Sequence, residues 1–411
     1  MANVTPFRAI RPTRDKVALV TTRSYDLYSK KELKTILRMN PFSFLHILRP
    51  GYKYQKNLKG TLRFQMVHNR YNEFKENNIF TRDDKPTYYL HQKQYKDSVF
   101  WGIIGLASVE DYKKDVIKKH EKTLSQREAL FGDYLEISGF NAEPVLITYP
   151  DNAFLNSLIE KYRKQRAEYE FTTNKERTHL LWCIEDEDEI ERITKEFETI
   201  PSLYIADGHH RTASSKYLCE KVAEGGDEKA KILCKQFMAY FISESSLRIT
   251  SFYRFVKTLN GLTKKEFLIS LDQHFRIKNL GHQYYKPGKP HHFSMYLDGE
   301  YYQLYLRRSE LNQEDILDQL DSHILYKTVL QPILGINDLT KDANIQYLPE
   351  EGNELQLKNW VDTGQFAVGF GSFPISVEQL KQVADNGLTM PPKSTYIEPK
   401  LRSGLTIYQL K

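Results

Sequence analysis

The chain has 411 residues, 40% hydrophobic and 27% charged, and 59 Lys and Arg against 53 Asp and Glu leave a net charge of +6. Both signs are spread along the chain, which is not the concentrated basic face of a nucleic-acid binder; no run approaches the ~18 apolar residues of a membrane span, and Met1-Ala-Asn-Val-Thr-Pro6 has no apolar signal core. Three cysteines without metal spacing, Cys183, Cys219 and Cys234, read as buried free thiols in a reducing cytoplasm, and 27 Tyr with 22 Phe make aromatic rings the main core material.

In chain order, Val17 to Val20 predicts a strand leading into a polar loop with Arg23, Tyr25 and Asp26, either a site edge or a surface turn. Pro41 to Leu48 is a second apolar segment. Over residues 52–82, Phe64, Val67, Tyr71 and Phe74 fall at spacings of three and four and predict an amphipathic helix. Pro86 to His91 and Val99 to Ser108 read as paired strands around a polar turn. Next, Lys118-Lys-His-Glu-Lys122 places a histidine and a carboxylate among lysines, ahead of a helix on Leu130, Tyr134 and Leu135 that Thr123 or Ser125 can cap. Opposite charge nearby keeps Glu121 ionised, and an ionised carboxylate can orient a hydroxyl and take its proton; a hydrated basic loop is the alternative. Glu143 to Tyr149 and His179 to Ile184 predict strands, 153–170 a helix, and Glu185 to Ile200 a helix whose acidic start suits the macrodipole.

The chemistry concentrates in the next stretch. Leu203, Tyr204 and Ile205 make a short strand, Asp207-Gly208 a turn, and Ala213, Tyr217, Leu218 and Val222 a helix that Gly225-Gly226 stops. Asp207 stands where an N-cap belongs. His209, His210 and Arg211 fall in the first helical turn, where the macrodipole disfavours cations. Free N–H groups, a glycine, an arginine fork and two imidazoles make that turn a socket for an anion, most simply a phosphate.

Further on, Phe237 to Ile242 predicts a strand, Leu247 to Arg254 more extended chain, and 264–274 a helix. His282, His291 and His292 lack carboxylates at metal-ligand spacing. Asp298-Gly299 turns a hairpin between Phe293–Leu297 and Tyr301–Leu306. Helices over 313–330 and 355–362, a buried strand over Gln365 to Phe370 and a helix over Val377 to Ala384 follow. Near the end, two prolines precede Lys393-Ser394-Thr395, Lys400 and Arg402 follow a third, and a last strand runs on Leu405 and Ile407; prolines, cations and hydroxyls together suit phosphate oxygens. Alternating strands and helices give an α/β or mixed α+β class. P-loop, Rossmann, zincin and α/β-hydrolase signatures are missing.

Gly102-Ile-Ile-Gly-Leu-Ala-Ser-Val-Glu-Asp-Tyr112 through His120-Glu-Lys-Thr123, Ile205-Ala-Asp-Gly-His-His-Arg211, and Met390-Pro-Pro-Lys-Ser-Thr395 through Pro399-Lys-Leu-Arg-Ser-Gly404 together resemble the DUF1015 family, also described as SerK-like. Of that family's opening Ala-Pro-Pro-Tyr-Asp loop, Thr21-Thr-Arg-Ser-Tyr-Asp26 matches only Tyr25 and Asp26. Gly208 to Arg211 also resembles the Gly-x-x-Arg phosphate motif of ParB/sulfiredoxin-like proteins, with His209 and His210 where a sulfiredoxin-like cysteine would stand. The resemblance implies mixed sheets flanked by helices, a strand–turn–helix phosphate site, and a small-molecule kinase using ATP or ADP with Mg²⁺ and free L-serine as acceptor. Carried over, Gly208, Arg211, Thr212, Lys393, Ser394 and Thr395 would hold the nucleotide. Glu121, His209, His210 and Asp207 would serve the chemistry, Asp207 (or Glu121) as metal ligand. Tyr25, Asp26, His120, Lys122, Lys400 and Arg402 would bind the substrate. A non-catalytic nucleotide-binding switch and a phosphohydrolase are the alternatives. The expected organisation is a nucleotide domain over 1–250 and an α+β domain over 251–411, divided near 245–260, whose final segment returns to the site; a homodimer is allowed.

Overall fold

The computed structural model describes all residues except 25–26, 174–175, 226, 313 and 351. The architecture is mixed α+β. The chain forms two compact units: Met1–Lys119, Thr123–Leu247 and Pro399–Lys411 make the first, and His120–Lys122 with Arg248–Glu398 the second.

The first unit is built on a nine-stranded sheet in the order Tyr169–Thr173, Arg177–Ile184, Tyr88–Tyr95, Ser98–Ser108, Gln236–Ser243, Val145–Tyr149, Leu203–Asp207 and Ile117–Lys118, with Val4–Thr5 also paired to Ser98–Ser108. Gln236–Ser243 runs antiparallel to Ser98–Ser108 and parallel to Val145–Tyr149, so the sheet is mixed. All five residues of Val145–Tyr149 are buried, as their continuous apolar run requires of a central strand. Leu155 and Leu158 from helix Ala153–Arg163, and Ile193 and Phe197 from helix Glu187–Thr199, pack on Ile147, Ile205 and Phe241. The acidic start of the second helix is capped by Asp186, which accepts from the Glu189 N–H. A second core joins Phe44, Val67, Tyr71, Phe74, Phe140 and Ile407. The carboxy-terminal residues enter this unit as short strands: Arg402–Ser403 pairs with Thr22–Arg23, and Tyr408–Gln409 with Phe140–Asn141.

The second unit holds a six-stranded antiparallel sheet, Phe275–Gly281, Glu300–Leu306, His292–Leu297, Val368–Ser372, Phe252–Val256 and Ile345–Pro349. The hairpin turns as expected on Asp298 (φ 48°) and Gly299 (φ 82°).

Several local expectations are corrected. Val17–Val20 is a four-residue helix, its Val17 and Val20 N–H groups bonded back to Thr13 and Lys16, with Val17 and Val20 buried; a run of four apolar residues fits either period. The helix expected over 52–82 covers Gly60–Glu76 and ends at Asn77, before Asn78 turns left-handed (φ 54°). Neither Thr123 nor Ser125 caps helix Ser125–Ser138: Leu124 occupies the N-cap, Ser125 is already helical, and the Thr123 hydroxyl is taken by Glu128. The helix expected over 153–170 ends at Arg163, and 313–330 breaks into Leu317–Gln319, Asp321–Leu325 and the π-helical Tyr326–Leu330. The strand expected over Gln365 to Phe370 is Val368–Ser372. Of the three free cysteines only Cys234 is buried.

Candidate functional site

The strand Leu203–Asp207 buries Leu203, Tyr204, Ile205 and Ala206, which anchors the turn that follows. Gly208 has φ +105°, a left-handed value that an L side chain adopts only under strain, and a Cβ there would lie 3.0 Å from Arg211 Nε and Nη2. The glycine therefore does two things. It lets the chain reverse into helix His209–Gly225, and it lets the Arg211 guanidinium fold back over its Cα. Thr212 fastens the junction: its N–H (3.0 Å) and its hydroxyl (3.3 Å) both donate to the Gly208 carbonyl. That hydroxyl is thus engaged within the helix, as are those of Ser214 and Ser215, which donate to the carbonyls of His210 and Arg211.

The fork of Arg211 is occupied. Nη1 donates to the Pro144 carbonyl at 2.7 Å and stands 3.1 Å from Glu143 Oε1; Nη2 stands 3.3 Å from Asp207 Oδ2. Lys400 Nζ lies 3.5 Å from the same Asp207 oxygen. Burial alone would raise the Asp207 pKa, but Lys400 and Arg211 outweigh it and hold the carboxyl below its usual range, so it is ionised at neutral pH. His209 is 4% exposed, and burial pushes its imidazole down to about 3 despite the pull of Asp207; it is neutral. Among the described residues the socket thus sets the carboxylates of Glu143 and Asp207 against Arg211 and Lys400, rather than presenting a cluster of bare positive charge. Glu143 is the member that sequence reasoning missed. Its Oε2 accepts from Ser24 (3.4 Å) and Ser403 (3.3 Å), tying the opening loop and the carboxy-terminal segment to Arg211. The only sequence signal was a carboxylate just ahead of a buried strand.

Glu143, Arg211, Ser214 and Ser403 line a cavity of about 450 Å³ whose wall includes Phe44, Phe64, Phe131, Tyr134 and Phe140, with Lys59 and Arg63 also contributing. That is the size and mixed character of a small-molecule pocket.

The remaining candidates are placed as follows. Arg402 donates through Nε to Thr21 Oγ1 (3.0 Å) and through Nη2 to the Thr21 carbonyl, so most of its fork holds the opening segment. His120, Glu121 and Lys122 belong to the second unit, where the buried His120 accepts through its carbonyl from the Met390 N–H at 2.9 Å. In that unit Lys393 is left-handed (φ 57°), its carbonyl accepts from Arg254 at 3.1 Å and its ammonium lies 5.5 Å from the Phe252 ring centroid. Ser394 is buried, paired with Ser322 Oγ at 2.8 Å and donating to the Pro391 carbonyl at 2.6 Å, and Thr395 is half-buried. Tyr25 and Asp26 lie outside the described residues.

A family model described as protein of unknown function (DUF1015) matches residues 4–323. The chain belongs to this family. No curated protein matches. Among solved structures, similar chains include SbnI with a C-terminal truncation from Staphylococcus aureus (16% identity, TM-score 0.39, covering 74% of this chain and 85% of that one). A free serine kinase mutant in complex with AMP is also similar (12%, 0.37, 74% and 91%), as is a conserved hypothetical protein from Pyrococcus furiosus (12%, 0.36, 74% and 94%). At these TM-scores the likeness carries no activity over to this chain. No helix among the described residues is long and apolar enough to cross a membrane.

Proposed function

We propose that the protein is a nucleotide-dependent phosphotransferase, with ATP or ADP as donor and free L-serine as acceptor. The observation that carries this reading is the Arg211 guanidinium, folded over Gly208 at the start of a 17-residue helix and lining the 450 Å³ cavity. A helix N-terminus with an arginine fork suits phosphates, and the aromatic wall suits a nucleobase. Phosphoryl transfer asks the protein mainly for positioning and charge neutralisation. Glu143 and Asp207 hold the fork in place, and a phosphate would compete with these carboxylates for its N–H groups. Asp207, ionised between its cations, would share a Mg²⁺ with the nucleotide phosphates, and the ion would neutralise charge on them. His209, with a pKa of about 3, binds a proton too weakly to serve as general base. Glu121 is the residue proposed to take the proton from the acceptor hydroxyl. The bond from the serine oxygen to phosphorus forms, the bond from phosphorus to the leaving nucleotide breaks, and the proton passes to that carboxylate.

The test is incubation with labelled ATP or ADP and a pool that includes L-serine. O-phosphoserine and a shortened nucleotide are the expected products, lost in Arg211→Ala. Inorganic phosphate released without an acceptor would make the protein a hydrolase, and nucleotide binding without any product would make it a switch.

A further inference from the structure

The second unit buries a carboxyl that the phosphotransfer reading does not use. Four residues from neighbouring strands of its sheet meet there. Ser294 pairs with Gly371 across the antiparallel strands His292–Leu297 and Val368–Ser372. Tyr253 stands on the next strand, Phe252–Val256, and Glu350 directly follows the one after, Ile345–Pro349, where its N–H donates to the Ser251 carbonyl at 3.0 Å. A Cβ added at Gly371 would lie 2.5 Å from Ser294 Oγ, 2.8 Å from Glu350 Oε1 and 3.0 Å from the Tyr253 ring. The hydroxyl, the carboxyl oxygen and the ring therefore converge over one glycine.

Ser294 and Glu350 are 1% and 4% exposed, and among the described residues neither Ser294 Oγ nor Glu350 Oε1 has a hydrogen-bond partner. Burial pushes the Glu350 carboxyl up to about 7; Lys286 and Arg254 pull it down without restoring its usual value, and Glu354 adds to the rise. A buried acid with an orphaned oxygen costs free energy that a bound positive charge would return. The Tyr253 hydroxyl meets the Tyr284 hydroxyl at 2.9 Å. Burial chiefly, with the nearby charge of Glu350, raises both phenols, and Tyr284 is 36% exposed, which gives the carboxyl a way to solvent.

The donor set points to a class of ligand. Carboxylate, hydroxyl and phenol oxygens suit a hard cation. One buried carboxylate matches a single positive charge, whereas a divalent ion would keep a net charge in a low-dielectric setting. The crowding over Gly371 leaves room for a bare ion rather than an organic ammonium.

We propose that Glu350 Oε1, Ser294 Oγ and the Tyr253–Tyr284 phenols hold a monovalent alkali cation, sodium or potassium. The ion ties the end of strand Ile345–Pro349 to the two central strands of the sheet. The inference stands apart from the phosphotransfer reading, because it uses no residue of the Arg211 turn and no nucleotide.

The experiment is thermal unfolding of the full chain at pH 8 in sodium, potassium or choline chloride at equal ionic strength, choline being too large for the site. A melting temperature about 2–4 °C higher in an alkali salt than in choline is expected, and the salt with the larger rise names the ion. The rise should vanish in Glu350→Gln, shrink in Ser294→Ala, and be smaller at pH 6, where protons compete for the carboxylate. Adding the same salt to the unbuffered chain at pH 7 in choline chloride should also release a fraction of a proton, a readout that needs no variant and stands with Ser294→Ala if Glu350→Gln fails to fold. Equal melting in all three salts with no proton release, or an alkali-specific rise that survives in folded Glu350→Gln, overturns the proposal.

Discussion

The Arg211 turn and the His91–His179 face carry opposite lessons about charge. The turn is conspicuous in the sequence, three basic residues in a row, yet the fold supplies Glu143 and Asp207 to meet its arginine and buries His209 neutral. The face is inconspicuous, its His91 and His179 (ring nitrogens 3.1 Å apart) on the paired strands Tyr88–Tyr95 and Arg177–Ile184 and its Arg402 in the carboxy-terminal segment, yet there Arg177 and Arg402 lack carboxylate ion pairs among the described residues. Sequence density of charge is therefore a poor guide to net charge at a site. What counts is which carboxylates the tertiary structure brings within about 4 Å.

The largest expected effect separates the two regions. Arg211→Ala should lower serine-dependent nucleotide turnover by about 10²–10³-fold, the scale on which a lost phosphate or oxyanion donor acts, while leaving the buried His91–His179 pair untouched. Measured product formation within tenfold of the parent would remove the socket from the mechanism.

Gly102→Ala should damage the face instead. Gly102 lies opposite His91, and its new Cβ would stand 2.1 Å from the buried Tyr240 ring. Overpacking of this kind costs about 1–3 kcal/mol, read as a lower urea midpoint, with nucleotide affinity preserved in the folded fraction.

Acid should strain both regions together. His91 and His209 have folded-state values near 3 against 6.5 in the unfolded chain. Between those values the unfolded chain binds protons that the folded chain does not. Stability is therefore fully kept above pH 6.5 and falls as pH is lowered toward 3, by up to about 1.4 kcal/mol per pH unit for each histidine. Melting temperatures from pH 7.5 to 5 should drop accordingly, and a flat profile would show that the imidazoles are not held neutral.

The smallest effect probes the tie between Ser403 and Glu143. Ser403→Ala removes one 3.3 Å hydrogen bond and should weaken nucleotide binding by about 0.5–1.5 kcal/mol, a few-fold in Kd.

Much of the local structure was legible. The 3.6-residue spacing of Phe64, Val67, Tyr71 and Phe74 marked a helix, and all four are buried. The Asp298-Gly299 turn marked its hairpin, and the apolar run before Gly208 with the helical spacing after it marked the strand–glycine–helix junction. Short runs were not legible: Val17 to Val20 could serve either period, and the bonds to Thr13 and Lys16 decided for a helix. Nor does anything local show that the Ser394 hydroxyl pairs with Ser322, 72 residues away.

The order of residues by itself determined the periodicities, the need for glycine at 208 and the membership in a family, because these depend on neighbours a few positions apart or on the pattern as a whole. Only the tertiary structure decided the electrostatics. Glu143 reaches Arg211 across 68 positions, and Lys93 and Arg402 reach one face across 309, and Coulomb energies follow distance in space and the dielectric of burial, neither of which is written along the chain.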